Sequence, residues 1–220
     1  MDETRETQRA ELTRCFRKLY EQGTVNLFEG NLSARCGDVI LMTPSQQNKE
    51  TMTPDMIVEL APDGRLLTES AYRPSSECRM HLALYRLRDD VGAIVHTHSA
   101  FASAFAVAGQ AIAGAAAELY LFFGGAIPCC AYGTPGTDAV FAEFERYFVD
   151  ERRDAVLLAN HGLVTAGRDL EDAFAKAEAA EKLAKTILLA RLLGGEQPLP
   201  NGAAEELLAR WRASHKTERS

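Results

Sequence analysis

Residues 91–98 read VGAIVHTH, an apolar run that ends in two histidines. A short apolar run of this kind predicts a strand that is buried on both faces. The stretch without Asp, Glu, Lys or Arg continues to residue 117, which is long enough to be considered as a membrane span. It contains His96, His98 and Gln110, however, and has no adjacent Lys or Arg to anchor it in a bilayer. We therefore interpret it as protein interior and expect no membrane partner.

Predicted helices and strands alternate irregularly on both sides of this strand, and an Asp-Gly turn of the hairpin type, at 63–64, lies among them. The pattern predicts an α/β fold, a single three-layer α/β/α domain over residues 1–220 with a central mixed, largely antiparallel sheet covered by helices. Further strands are predicted at 31–35, 39–42, 56–60, 125–133 and 154–160, with another after the turn at 61–64. Helices are predicted at 4–22, 75–88, 99–109, 138–148 and 169–193.

Composition and charge exclude several classes of protein. Hydrophobic residues make up 46% and charged residues 25% of the 220 residues, as is typical of a globular domain. The net charge of -7 argues against nucleic acid as a partner, because binding a polyanion needs a broad basic surface. The five cysteines are an odd number without CxxC spacing, which predicts reduced thiols and a cytoplasmic location.

The histidines suggest a metal site. His96 and His98 are two residues apart, so on a strand both rings point to one face. His161 follows another predicted buried strand in Asn-His-Gly and could approach the same point. Three histidines with an open fourth position are typical of catalytic zinc. The alternative is a pair of histidines that are hydrogen-bonded inside a polar pocket.

Glu77 lies in Ser75-Ser76-Glu77, at the predicted start of a helix. A carboxylate there ordinarily stabilises the helix dipole, and the functional alternative is a base held near the metal. Free backbone N–H groups and two hydroxyls at the same place suit a phosphate. Two other segments, 30–33 (GNLS) and 43–45 (TPS), put small polar residues at strand ends, where simple turn chemistry would also place them.

In combination, GNLS, TPS, PSSE (74–77), HTHS (96–99) and NHG (160–162) resemble the class II aldolase/adducin family, and within it the L-fuculose-1-phosphate aldolase branch. The resemblance covers about residues 8–193 and leaves 194–220 as a C-terminal tail. It implies one Zn²⁺ per subunit, or another divalent metal, on His96, His98 and His161, with Glu77 as the catalytic residue. It also implies a homotetramer and a set of phosphate-binding positions: Gly30, Asn31, Thr43, Ser45, Ser75 and Ser76.

The resemblance implies zinc-dependent cleavage of a ketose 1-phosphate, such as L-fuculose 1-phosphate, to dihydroxyacetone phosphate and an aldehyde through an enediolate. Ser-Ser-Glu and Thr-Pro-Ser, in place of the Ser-Ser-Asp and Lys-Pro-Ser of related epimerases, favour this branch. The alternatives are an epimerase, decarboxylase or dehydratase of the same superfamily, or a non-catalytic adducin-like interaction module. The small phosphorylated sugar is the expected partner.

The chain also departs from the aldolase pattern. Phe28-Glu29 replaces a segment in which a threonine is expected, and no tyrosine follows Tyr147, so a tail tyrosine cannot donate a proton. Glu118 and Tyr120 are candidate auxiliary groups, with packing as the alternative for each. We expect His81 to pack or to support a site residue, and His215 and the tail charges to be solvated.

Overall fold

The strand predicted from VGAIVHTH lies in the middle of a seven-stranded sheet in the structure, a computed structural model that describes residues 3–217. All neighbouring strand pairs are antiparallel except the parallel pair at one edge, so the predicted mixed, largely antiparallel sheet is confirmed. The strands are β1 (Asn31–Cys36), β2 (Val39–Met42), β3 (Val58–Leu60), β4 (Ala93–Thr97), β5 (Cys129–Cys130), β6 (Ala155–Leu158) and β7 (Gly162–Gly167). Their spatial order is β3-β2-β1-β4-β7-β6-β5.

Helices cover both faces of this sheet, as the α/β prediction requires. Side chains alternate along β4. Ala93 and Val95 therefore join one apolar cluster with the first helix, α1 (Glu3–Glu21), and the long helix α5 (Leu170–Leu192), whereas Ile94 joins another cluster with α2 (Cys78–Leu87). His96 therefore shares the α2 side of the sheet with Ile94. The helices are α1 (Glu3–Glu21), α2 (Cys78–Leu87), α3 (Ala100–Val107), α4 (Ala117–Phe123), α5 (Leu170–Leu192) and α6 (Ala203–Thr217). Within the described residues, none of them is both long and apolar enough to span a membrane.

Three predicted elements differ from those observed. After the turn at 61–64 only an isolated bridge forms, between Leu60 and Leu66, because Leu66 stays exposed and gains no burial from further pairing. The strand predicted at 125–133 is reduced to β5, since Pro128 has no N–H for a strand ladder. The helix predicted at 138–148 is a 3₁₀ turn followed by a π-helical segment (Glu145–Asp150), so the prediction misses the hydrogen-bond spacing.

Two elements were absent from the prediction. β7 follows β6 directly after a loop in which Asn160 has a left-handed φ of 56°, a residue conformation common in short hairpin loops. Gly162 therefore begins strand β7, whereas the sequence pattern at His161-Gly162 indicated only the end of the preceding strand. α4 begins at the last residue of the uncharged stretch and ends at Gly124, whose φ of 65° is typical of a helix C-terminus.

The charged side chains of α6 that the structure describes are exposed, as expected, whereas the helix itself packs against α4. Trp211 covers Gly124 so closely that an added Cβ there would lie 2.9 Å from the indole ring. His215 Nε2 lies 3.4 Å from the buried carboxylate of Asp154, which also pairs with Arg88 and Lys176. The prediction that His215 is solvated is therefore wrong, since a buried carboxylate of distant sequence position attracts it.

The contact between His215 and Asp154 should make docking of α6 depend on pH. Hydrogen bonding to Asp154 raises the pKa of His215, although burial opposes the shift. Burial raises the pKa of Asp154, but His215, Lys176 and Arg88 together lower it well below its usual range. A histidine with a raised folded-state pKa stabilises the fold below its ordinary pKa of about 6.5, and the contribution is lost as the pH rises through the folded-state value.

We therefore expect the amides of α6 to exchange hydrogen faster at pH 9 than at pH 6, after correction for intrinsic rates. In His215→Gln this difference should disappear, because the amide side chain does not titrate. Equal protection of α6 at both pH values in the unsubstituted protein would contradict the prediction.

Candidate metal and active site

Three histidines and one glutamate converge at one end of the central strands. His96 lies on β4, His98 just beyond its end, and His161 in the loop between β6 and β7. Pairing of Thr97 with Leu163 brings this loop alongside the end of β4. The three imidazole centroids are consequently 4.7, 4.9 and 4.8 Å apart. The structure thus brings together all three histidines that the sequence analysis singled out.

Gly162 allows this approach of the two strands. An added Cβ at this position would lie 2.4 Å from the carbonyl oxygen of Thr97 and 3.1 Å from the ring of His98. Such contacts are too short for any side chain, so glycine is required where the loop carrying His161 meets β4. The Asn-His-Gly motif therefore serves close packing as well as supplying a ligand type.

Glu77 lies opposite the histidines as the N-cap residue of α2. Its carboxylate oxygens are 3.2 Å from His96 Nε2 and 3.1 Å from His161 Nε2. The helix begins at Cys78, later than predicted, because Ser75 accepts hydrogen bonds from Glu77 N and Cys78 N and forms a turn before it. Glu77 is therefore not in the first helical turn, and its side chain points towards the imidazoles.

The donor atoms of this cluster fit a divalent metal ion. One ligand atom from each of Glu77, His96, His98 and His161 lies within 4.8 Å of the others. His96 Nδ1 donates to the carbonyl of Leu163 at 2.9 Å, which leaves the Nε2 lone pair facing the cluster. Nε2 of His98 faces the same atom at 2.8 Å. Two such nitrogens need a proton or a cation between them, and three imidazoles with a carboxylate suit Zn²⁺.

An unsatisfied oxygen supports the same fit. Among residues 3–217, no hydrogen-bond donor of acceptable geometry reaches the buried Oε1 of Glu77. Buried polar atoms are normally hydrogen-bonded, so an orphaned carboxylate oxygen that faces imidazole nitrogens is expected of a metal-binding cluster.

The electrostatics of the cluster keep Glu77 and His98 in the forms that bind a cation, whereas the carboxylate of Glu77 favours the protonated form of His96 as long as no metal takes the place of its proton. Burial raises the pKa of Glu77, but His96 and His161 outweigh it and hold that pKa well below its usual range. Burial and the neighbouring imidazoles lower the pKa of His98 to about 3, so it is neutral at neutral pH. Burial lowers the pKa of His96, and the adjacent Glu77 more than compensates and raises it.

A buried chain of hydrogen bonds runs from Glu77 into the core. Asn31 Nδ2 donates to Glu77 Oε2 at 2.8 Å, and Asn31 Oδ1 contacts His81 Nε2 at 2.6 Å. His81 Nδ1 contacts Ser33 Oγ at 2.7 Å, which in turn contacts Tyr85 OH at 2.9 Å. Burial lowers the pKa of His81 to about 3, so it is neutral and can donate through one nitrogen and accept through the other.

This chain bears on two expectations. Asn31 is expected to contact a phosphate, and in the structure its amide group donates to the carboxylate of Glu77. His81 contacts Asn31 and so supports a site residue, as expected, whereas the continuation of the chain through Ser33 to Tyr85 was not predicted. A signal was present, because Glu77, His81 and Tyr85 are spaced four residues apart and so share one helix face.

Removal of the central imidazole should destabilise the fold. In His81→Phe, Asn31 Oδ1 and Ser33 Oγ lose a partner in a buried site, and each unsatisfied group costs about 1–3 kcal/mol. We expect urea denaturation to show a loss of free energy of unfolding in that range or above. Tyr85→Phe, which removes only the terminal hydroxyl, should cost about 1 kcal/mol. Equal stability of His81→Phe and the unsubstituted protein would show that the chain of hydrogen bonds is unimportant.

Two of the segments expected to bind phosphate, 43–45 (TPS) and 74–77 (PSSE), lie side by side and are joined by a β-bridge between Pro44 and Pro74. Ser76 is exposed and Ser45 half-buried, so both hydroxyls are accessible. Thr43 is fully buried and its hydroxyl bonds the backbone of Leu32. The structure therefore leaves its side chain no free hydrogen-bonding role at a ligand.

The remaining two phosphate positions differ in a similar way. Ser75 is buried and its hydroxyl accepts from Glu77 N, so this side chain shapes the turn before α2. Gly30 has a left-handed φ of 75° and packs against β4, where an added Cβ would lie 2.9 Å from His96 O. Its close approach places the backbone of the 26–30 loop next to the histidines.

The candidate auxiliary residues lie on α4. Glu118 is exposed in the first turn of this helix, and Tyr120 is half-buried and packs against the apolar cluster formed with α3 and α5. Neither is among the four side chains that converge around His96. Within a single chain, Tyr120 therefore has a packing role.

Known proteins are similar to this chain in sequence and in architecture. The profile of the Class II Aldolase and Adducin N-terminal domain family matches residues 10–188. A 5-deoxy-D-ribulose 1-phosphate aldolase of Bacillus thuringiensis serovar kurstaki is 33% identical over 202 residues, which cover 91% of this chain and 93% of that protein. A 5-methylthioribulose-1-phosphate/5-deoxyribulose-1-phosphate aldolase of Rhodospirillum rubrum is 35% identical over 185 residues, covering 83% of this chain and 81% of that protein.

Solved structures agree with the sequence matches. An L-fuculose 1-phosphate aldolase superimposes with a TM-score of 0.85 and 28% identity, covering 96% of this chain and 98% of the other. The similar proteins also include an L-ribulose-5-phosphate 4-epimerase of Salmonella paratyphi C, so they are sugar-phosphate enzymes of more than one reaction type. With a family match over most of its length and an aldolase fold around its histidine cluster, this chain belongs to the class II aldolase and adducin N-terminal domain family.

Proposed function

We propose that this protein is a zinc-dependent aldolase that cleaves a ketose 1-phosphate to dihydroxyacetone phosphate and an aldehyde. The observation that carries the proposal is the cluster of three imidazole Nε2 atoms around the carboxylate of Glu77. An interaction module has no need of such a group of buried, mutually facing nitrogens, whereas a metal-dependent lyase requires it.

His96, His98 and His161 would hold the metal, and Glu77 lies close enough to be a fourth ligand when no substrate is present. A divalent cation at this place supplies Lewis-acid stabilisation of negative charge that develops on substrate oxygens, a contribution of several kcal/mol. The neutral imidazoles leave the full charge of the cation available for that purpose.

Glu77 would move the proton at the reacting carbon. Cleavage breaks the C3–C4 bond, leaves the electron pair on the ketose fragment as an enediolate, and releases the proton of the C4 hydroxyl. Glu77 then delivers to C3 a proton that it has taken up from solvent, which completes dihydroxyacetone phosphate, and in the reverse direction it removes the C3 proton and returns it to solvent. The hydrogen bond from Asn31 holds Oε2 in position for this transfer. Glu118 and Tyr120 stay candidates for the group that takes the hydroxyl proton.

The phosphate of the substrate would bind between segment 43–45, which contains Ser45, and segment 74–77, which contains Ser76. Ser76 and Ser45 offer accessible hydroxyls, and the backbone around Gly30 and Asn31 lies beside the histidines. Thr43 and Ser75 would contribute through the backbone, because their hydroxyls bond within the protein. Binding energy from this remote group can be used at the reacting carbon.

The names of the similar proteins point to a substrate class. Relatives that act on 5-deoxyribulose 1-phosphate and on fuculose 1-phosphate both use a ketose 1-phosphate. Phe28, which replaces a polar residue expected beside the site, is 58% exposed and would suit an apolar end of the departing aldehyde. A deoxy sugar phosphate is therefore the substrate class that we favour.

The chain would act as one domain over residues 1–220 and assemble as a homotetramer. Leu192 and Leu193 at the end of α5, and Phe122 on α4, are large apolar side chains left exposed in the single chain. Burial against other copies would remove them from water. Light scattering that gives a monomer mass would overturn this assembly.

The experiment that tests the function combines metal analysis with a substrate screen. Purified protein is analysed for bound zinc and then incubated with 5-deoxyribulose 1-phosphate, L-fuculose 1-phosphate, L-ribulose 5-phosphate and sugar-acid phosphates. We expect bound metal and release of dihydroxyacetone phosphate, detected with glycerol-3-phosphate dehydrogenase. Epimerised or decarboxylated products instead would overturn the aldolase assignment, and a protein that binds no metal would favour the interaction module.

A further inference from the structure

The loop at 26–30 is fixed beside His98 by several independent contacts. Asn26 Oδ1 accepts from the backbone N–H groups of Phe28 and Glu29 at 2.9 and 2.8 Å. Gly30 packs so closely that an added Cβ would lie 2.6 Å from Val25 and 2.9 Å from His96 O. The backbone that carries Glu29 therefore has little freedom, which keeps its side chain in the neighbourhood of His98.

A buried lysine, Lys49, is hydrogen-bonded to the backbone of the same loop. Lys49 is 1% exposed, donates from Nζ to the carbonyl of Leu27 at 3.0 Å, and lies 4.4 Å from the centroid of the Phe16 ring. Burial lowers the pKa of Lys49 to about 8, and the charge of Glu29 acts against that shift. A buried ammonium is costly, and the charge of this carboxylate offsets part of that cost.

Glu29 faces the nitrogen of His98 that points away from the metal cluster. Its Oε2 lies 3.9 Å from His98 Nδ1, while His98 Nε2 faces His96. His96 already has an acceptor for its outer nitrogen in Leu163 O, but His98 has no such carbonyl contact among the described residues. The separation of 3.9 Å is longer than a hydrogen bond, and the side chain of Glu29, which is 47% exposed, can rotate closer to His98 Nδ1 while its backbone stays in place.

We propose that Glu29 is a positioning residue that accepts a hydrogen bond from His98 Nδ1–H and keeps the Nε2 lone pair directed at the metal, with Lys49 fixing the loop that carries it. The inference rests on the proposed function, because it presumes that His98 binds a metal. Carboxylates that orient metal-binding histidines in this way fix the ring tautomer and strengthen the ligand.

The test is the affinity of the protein for zinc in the absence of substrate, measured by competition with a chromophoric chelator. Glu29→Ala should weaken affinity about 10–100-fold, the usual cost of losing such a partner. Glu29→Gln, whose amide oxygen still accepts a hydrogen bond, should recover part of the loss. Glu69→Ala, a change at an exposed glutamate of another loop, is the matched control and should leave affinity unchanged.

Lys49→Met keeps an apolar side chain on Phe16 and removes the donor to Leu27 O. It should weaken zinc binding in the same direction as Glu29→Ala, and the double variant should be little worse than Glu29→Ala alone. Such non-additivity indicates that the two residues act as one unit. Thermal unfolding of the metal-free variants separates this effect from a general loss of stability.

The outcomes distinguish this inference from the proposed function. If the unsubstituted protein binds zinc and Glu29→Ala binds it within twofold as tightly, the positioning role is wrong while the metal site stands. If Glu29→Gln is as weak as Glu29→Ala, a hydrogen-bond acceptor is not sufficient and the proposed bond is wrong. If the unsubstituted protein binds no divalent metal, both the proposed function and this inference are overturned.

Discussion

A Glu77→Gln variant should keep its fold and its metal but lose about 10²–10⁴-fold in the rate at which it exchanges the C3 proton of dihydroxyacetone phosphate with solvent. The amide has nearly the shape of the carboxylate and can still accept the hydrogen bond from Asn31 Nδ2. It cannot take up a proton at neutral pH, so transfer at the carbon has no base. Proton exchange in D₂O, followed by nuclear magnetic resonance, measures this step without requiring the correct aldehyde.

The control for this experiment is Glu69→Gln, which makes the same chemical change at an exposed position. It should exchange the proton at the rate of the unsubstituted protein. Metal content must be measured in both variants, because Glu77 also faces His96 and His161. If Glu77→Gln retains its metal and exchanges at the original rate, Glu77 is not the base.

Loss of one imidazole should abolish tight metal binding. His98→Ala leaves two histidines and one carboxylate, and the facing pair of nitrogens 2.8 Å apart no longer exists. We expect metal analysis after dialysis to fall from one equivalent per chain to a background value, and cleavage activity to fall with it. His98 is partly exposed, so its removal should leave the stability of the metal-free protein nearly unchanged.

His215→Ala is the matched control, since it removes a histidine that pairs with Asp154 outside the cluster. This variant should retain its full metal content. A His98→Ala protein with a full equivalent of tightly bound zinc would show that the three-histidine assignment is wrong. The same measurement on His161→Ala would then identify which imidazoles bind the metal.

Sequence patterns predicted the sheet well where the signals were local. The buried run before His96, the amphipathic α1 and the long α5 all appear within a few residues of their expected bounds. The prediction missed β7, because its short hairpin loop with a left-handed Asn160 resembles a strand end. It also expected His215 to be solvated and did not foresee the packing of α6 on α4, since nothing near His215 in the chain reveals a buried carboxylate at Asp154.

The sequence by itself determined the chemistry that the site can offer. Three histidines and a glutamate, each at the end of a predicted element, are the ligand types of a catalytic metal, and their order along the chain matches a known family. This information is local, because residue type, spacing and hydrophobic periodicity are properties of short segments. It sufficed to name the candidate ligands and the base.

Only the tertiary structure decided how these groups are supported. Pairing of β1 with β4 and packing of α2 bring Asn31 between Glu77 and His81, so that the amide of a residue expected to contact a phosphate is hydrogen-bonded to the carboxylate of the candidate base. The hydrogen bond from Lys49 to the 26–30 loop likewise places Glu29 near His98. Hydrogen bonds act over about 3 Å between residues that are far apart in the chain, so their partners depend on strand register and helix packing, which no short stretch of sequence contains.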